Sequence, residues 1–164
     1  MFEQEPQEVG EPALSHQEAD VGVRVVRPHQ FDANTPQTPG MQRVAAISRH
    51  LAGSVGLWAG VTVVAPGIAS GVHHHGALET IIYVVSGHGM IRWGAQMDHE
   101  ADVAPGDFIY VPPYVPHQEI NPSEDTPSQW VIVRNDQEPV VVNLEPGEWT
   151  AAQQAANAAT HHGQ

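Results

Sequence analysis

The run Glu79 to Val85, ETIIYVV, limits the fold more than any other stretch of the chain. β-branched and aromatic residues follow one another almost without a polar break, as in a strand covered on both faces. Similar runs recur: VGVRVV at 21–26, RVAAIS at 43–48, a longer SVGLWAGVTVV at 54–64, MIRW at 90–93, FIYV at 108–111, QWVIVR at 129–134 and PVVVNL at 139–144. Glycine (15) and proline (14) punctuate them, and no long helical period runs through the middle. About nine short strands at roughly ten-residue spacing predict an all-β fold, a double-sheet barrel.

Several function classes are excluded by composition. There is no cysteine, so disulfides, thiolate nucleophiles and sulfur-ligated metals are absent. All six basic residues are arginines, which removes Schiff-base chemistry. A formal charge of −13 with no basic cluster argues against nucleic acid and anionic membranes as partners. No apolar run reaches the roughly 18 residues of a membrane span, and no secretory leader is visible. The expectation is a cytoplasmic protein.

Three regions are expected. Residues 1–20 form an acidic, flexible arm, residues 21–146 the barrel with its core at 67–121, and residues 147–164 an Ala/Gln-rich tail. The tail reads as a short helix over Thr150–Ala159 or as a frayed end.

The chemistry concentrates in two segments. In the first, His73 and His75 lie two apart, so a strand would present both imidazoles to one face and His74 to the other. Glu79 follows the Gly76 bend, and His117 arrives from a separate strand behind Pro112, Pro113 and Pro116. Three neutral imidazoles and one carboxylate would hold one divalent ion with a residual charge of about +1. Mixed nitrogen and oxygen ligands suit iron, manganese, nickel, cobalt or zinc.

Tyr83 shares its parity with Glu79 and Ile81. It is expected to face the barrel interior, as a buried hydroxyl or a catalytic acid beside Glu79. An apolar lining of Ile81, Val85, Phe108 and Tyr110 is expected with it. Asn121 reads as a turn cap or a pocket contact.

Gly67-(five residues)-His73-x-His75-(three residues)-Glu79, closed by Gly87, resembles the first cupin motif. Seven residues separate Glu79 from Gly87 where six are usual. Gly106-(five residues)-Pro112-(four residues)-His117-(three residues)-Asn121 resembles the second motif, with Tyr114 where many members have glycine. The resemblance spans about residues 44–143. It implies a jelly-roll β-barrel, metal ligands His73, His75, Glu79 and His117, and a homodimer. Three kinds of function follow from it: an iron-type dioxygenase acting on a small molecule, a non-redox isomerase, lyase or cyclase, or a non-catalytic binding or sensing module.

Overall fold

The computed structural model describes residues 21–161. The acidic arm expected at 1–20 lies outside them. Ten strands form two antiparallel five-stranded sheets. In chain order they are β1 (Met41–Ile47), β2 (Trp58–Val64), β3 (His73–His74), β4 (Thr80–Ser86), β5 (Gly89–Trp93), β6 (His99–Val103), β7 (Phe108–Val111), β8 (His117–Ile120), β9 (Ser128–Arg134) and β10 (Val142–Asn143). A four-residue helix α1 (Arg49–Ala52) follows β1, and helix α2 (Trp149–His161) ends the described chain. The first sheet has the order β1-β2-β9-β4-β7 and the second β10-β3-β8-β5-β6. They face each other as a jelly roll that hydrogen bonds do not close into a continuous cylinder.

Strict alternation governs the first sheet. In β2 and β9 every second residue is buried. In β4 the inward residues are Thr80, Ile82 and Val84. Ile82, Val84, Trp130 and Ile132 make the middle of the core, joined by Ile91 and Val103 from the opposite sheet. Each such side chain stabilises the fold by roughly 1.5–3 kcal/mol through removal from water.

The outer face of this sheet is also apolar, which is why ETIIYVV gave no alternation. One rung across it runs Val61, Val131, Tyr83, Phe108. The next runs Val133, Ile81, Tyr110. Ile81 is 44% exposed and Phe108 74%.

Several expectations need correction here. Tyr83 does not face the interior: it is on the outer face, half-buried, with its ring 4.7 Å from that of Phe108. Ile81 and Val85 likewise point outward. Residues 21–26 join no ladder among the described residues, and Val21, Val23 and Val25 are exposed. Strand β6 is polar and exposed over His99–Asp102, as the outermost strand of its sheet with one partner, β5.

Past Pro146 the chain forms α2, whose Ala152 and Ala156 are buried. The small apolar stripe suffices to dock it beside β5–β7. No helix among the described residues is long and apolar enough to cross a membrane.

Candidate metal centre

His73 and His117 are direct cross-strand partners on β3 and β8. His75 follows β3 by one residue and returns to the same face. Glu119 lies two residues past His117 on β8, so its side chain projects the same way. One ligand atom from each of His73, His75, His117 and Glu119 lies within 4.8 Å of the others. All four residues are buried, His117 at 1% exposure and Glu119 at 5%.

The imidazoles are fixed in one tautomer. His73 Nδ1 is 2.8 Å from the Gly71 carbonyl, His75 Nδ1 2.8 Å from that of Val140, and His117 Nδ1 2.9 Å from that of Val115. A carbonyl only accepts, so each Nδ1 carries the proton and each Nε2 keeps its lone pair. Metal-ligating histidines are oriented in this way. His117 Nε2 is buried with no hydrogen-bond partner, although Glu119 Oε1 stands 4.0 Å away. An unpartnered buried acceptor is costly unless something fills its place.

Protonation favours ligation as well. Burial, then Arg134, His117 and His73, push His75 down to about 2. Burial, then His73, hold His117 at about 4. Burial would raise the Glu119 carboxyl, but His73, His117, Arg43 and Arg134 outweigh it and keep the acid below its usual range. At neutral pH His75 and His117 are therefore neutral and Glu119 is ionised.

Neighbouring backbone holds Glu119 in place. Its N–H donates to Ser70 Oγ at 3.0 Å, and its carbonyl accepts from Ser70 N–H at 2.8 Å. Donor set, tautomers and burial all fit a divalent transition metal. Ligands about 2.1 Å from one ion lie at most about 4.2 Å apart, so seating it draws these four atoms slightly inward.

Glu79, expected as the fourth ligand and as a catalytic group, is not in this cluster. It is exposed, accepting from Tyr110 Oη at 2.7 Å and from Asn135 Nδ2 at 3.3 Å. The reason is register. Inward positions of β4 are even-numbered, so 79 faces out and Thr80 faces in. Six residues separate Thr80 from Gly87, so the extra residue in the motif marks a threonine at the inward position and a glutamate one step off it. In the sequence Glu119 shares strand parity with His117, but parity alone does not choose between it and Glu79.

His74 turns away as expected, its Nδ1 accepting from Gly76 N–H at 2.9 Å. Asn121 is fully buried and used structurally. It donates to the Val64 and Thr126 carbonyls and accepts from Ser123 N–H. Arg92 points outward to Glu100 at 3.1 Å.

One cavity adjoins the centre, and a second lies against Arg134. The larger, about 550 Å³, lies between the sheets under α2 and reaches His117. Its other walls include Ile91, Val103, Phe108 and Val111, with Gln153 from α2. The smaller, about 170 Å³, is lined by Arg134 and Trp58.

Comparison with known proteins agrees with this architecture. Residues 60–134 match the family described as Cupin domain. No curated protein matches the sequence at a significant level. Among solved structures, an oxalate decarboxylase is similar at 24% identity over 66% of this chain and 29% of that one, with TM-score 0.57. The polyketide cyclase RemF from Streptomyces resistomycificus shares 19% identity over 81% of this chain and 99% of that one, with TM-score 0.61. KdgF from Halomonas sp. shares 19% over 71% and 96%, with TM-score 0.57. The chain thus spans under a third of the decarboxylase and nearly the whole of the other two. At these identities the likeness is one of fold. Two facing antiparallel sheets, the matched segment and three buried histidines at the motif spacings together lead to one conclusion: the fold is that of a cupin domain, matched over residues 60–134.

Proposed function

We propose that the protein is a divalent-metal-dependent enzyme of the oxygenase kind acting on a small molecule. The observation that carries this reading is the set of three Nε2 lone pairs, each fixed by an Nδ1–carbonyl bond, converging with a buried carboxylate beside an apolar cavity. His73, His75, His117 and Glu119 would hold the ion, which when bound supplies redox chemistry toward oxygen or polarises a substrate donor atom. The chain's own residues do the rest. The backbone carbonyls of Gly71, Val115 and Val140 orient the imidazoles. Ile91, Val103 and Val111 keep water from the larger cavity, and α2 covers it.

A second reading, a non-redox cyclase, isomerase or lyase, is favoured by size, since a polyketide cyclase matches over 99% of its own length. One experiment separates the two. Protein purified without chelator is analysed for metals, then loaded separately with iron(II) and zinc(II). Oxygen uptake with phenol or enol substrates in the iron form supports the oxygenase. Turnover in the zinc form without oxygen supports the second reading. The absence of any stoichiometric metal after loading rejects both.

We further propose a homodimer through the outer face of the first sheet. The outer face of the first sheet carries Val61, Val131, Val133, Ile81 and Tyr83, with Glu79 at its margin engaged by Tyr110. With −13 overall, two copies meet there with least repulsion. Val133→Asp is expected to convert a dimer to monomer in sedimentation at unchanged circular dichroism. A wild-type monomer at all concentrations removes the proposal.

A further inference from the structure

The barrel interior contains more positive charge than the metal centre needs. Arg43 is 7% exposed and Arg134 4%, and Glu119 is the only other charged residue among the described buried ones. Two guanidiniums against one carboxylate leave one excess positive charge, and a divalent ion would raise it to three. Buried charge is retained only where something compensates it.

Neither arginine has that compensation in the described residues, where no ion pair to Arg43 or Arg134 occurs within 4.0 Å. Arg43 is satisfied by neutral acceptors, Thr62 Oγ1 at 3.4 Å and the Pro36 carbonyl at 3.0 Å. Arg134 has less. Its Nε is buried without a hydrogen-bond partner, and its guanidinium lies 5.5 Å from the Trp58 ring centroid. Thr80, its direct cross-strand partner, also has a buried Oγ1 with no partner.

Of these groups Arg134 reaches the smaller cavity, which no residue of the metal cluster lines. Arg134 lines that cavity with Trp58 and Ala45. On the other side it is close enough to the ligands to depress His75 and His117 and to help keep Glu119 ionised. Asp32, Asp136 and Glu138 also line the cavity. Asp136 and Glu138 are exposed, the Asp32 carboxylate accepts from Asn34 N–H, and none of the three forms an ion pair with Arg134 within 4.0 Å. At about 170 Å³ the cavity has room for roughly five or six waters, or a few-carbon acid.

We propose that Arg134, with Thr80 beside it and Arg43 behind, is the subsite for the carboxylate of a small organic acid, which makes a small acid anion the substrate class of the metal centre. The planar fork of a guanidinium matches a carboxylate with two parallel hydrogen bonds. Thr80 Oγ1 offers a third. The anion supplies the charge that Arg134 lacks.

The proposal rests on the metal-enzyme reading for its catalytic meaning, and the test keeps the two apart. Wild type, Arg134→Met and Arg134→Lys are first compared by elemental analysis and circular dichroism. Malonate is then titrated calorimetrically into metal-loaded and metal-free forms of each at fixed ionic strength. Saturable binding to wild type in both forms is expected. Arg134→Met, with unchanged metal content, should bind about 30-fold more weakly or worse, and Arg134→Lys about tenfold more weakly. If Arg134→Met binds within threefold of wild type, malonate is taken by the metal alone and the subsite is rejected. Absence of saturable binding to wild type in either form also rejects it. If wild type holds no metal, the metal-enzyme reading fails by itself, and the metal-free titrations still decide the role of Arg134. Should Arg134→Met not fold, the lysine variant decides: undiminished affinity overturns the proposal.

Discussion

Glu119→Gln is expected to lose metal affinity by roughly 100-fold or more, while Glu79→Gln keeps it. Even residues that only orient metal ligands typically change affinity by about 10–100-fold, and a direct ligand does no less. Glu119 supplies the one carboxylate of the four-residue cluster. Glutamine keeps its volume and loses its charge. Glu79 is exposed and engaged with Tyr110 and Asn135, so its substitution removes only surface hydrogen bonds. Titration with cobalt(II), followed by visible absorption and checked by elemental analysis, reads both variants. The opposite ranking would return Glu79 to the centre and mean that β4 enters the barrel with the other parity.

Trp130→Ala is expected to cost about 3–5 kcal/mol of folding stability. Trp130 is 1% exposed and sits in the middle of the core on β9, paired with Thr62 of β2 and Val84 of β4. Its indole N–H donates to Ser128 Oγ. The surrounding structure is fitted to the ring, since a Cβ at Gly89 would strike it. That close approach of backbone explains a glycine at the start of β5. Removing the indole leaves a cavity walled by three strands, which cannot collapse without breaking ladder bonds. Urea denaturation at constant metal occupancy measures the loss, and a change below about 1 kcal/mol would show that the sheets close over the gap.

The outer face shows why part of the fold escaped the sequence. In β9 the alternation is clean: Ser128, Trp130, Ile132 and Arg134 inward, Gln129, Val131 and Val133 outward. In β4 both faces are apolar, so Ile81 and Tyr83 carry no mark of which way they point. Tyr83 and Val85 were therefore expected inside, and the pairing of β4 with β9 puts them outside. Residues 21–26 fail for a related reason. Alternating valines fit a strand, but a strand exists only where another pairs with it.

By itself the sequence determined that the protein is built of short strands, that it resembles a cupin, and that His73 and His75 face one side, while His117 joined them only through the resemblance. Fixed spacing along a strand sets side-chain direction locally, so i and i+2 histidines need no tertiary information. Which carboxylate joins them was decided only by tertiary structure. The register of β4 against β9 turns Glu79 out and Thr80 in, and the pairing of β8 with β3 brings Glu119 to the histidines. The inward arginines are of the same kind. Arg43, Arg92 and Arg134 look alike in the sequence, and only the sheets, by burying two and exposing the third, make a charged interior that calls for an anion.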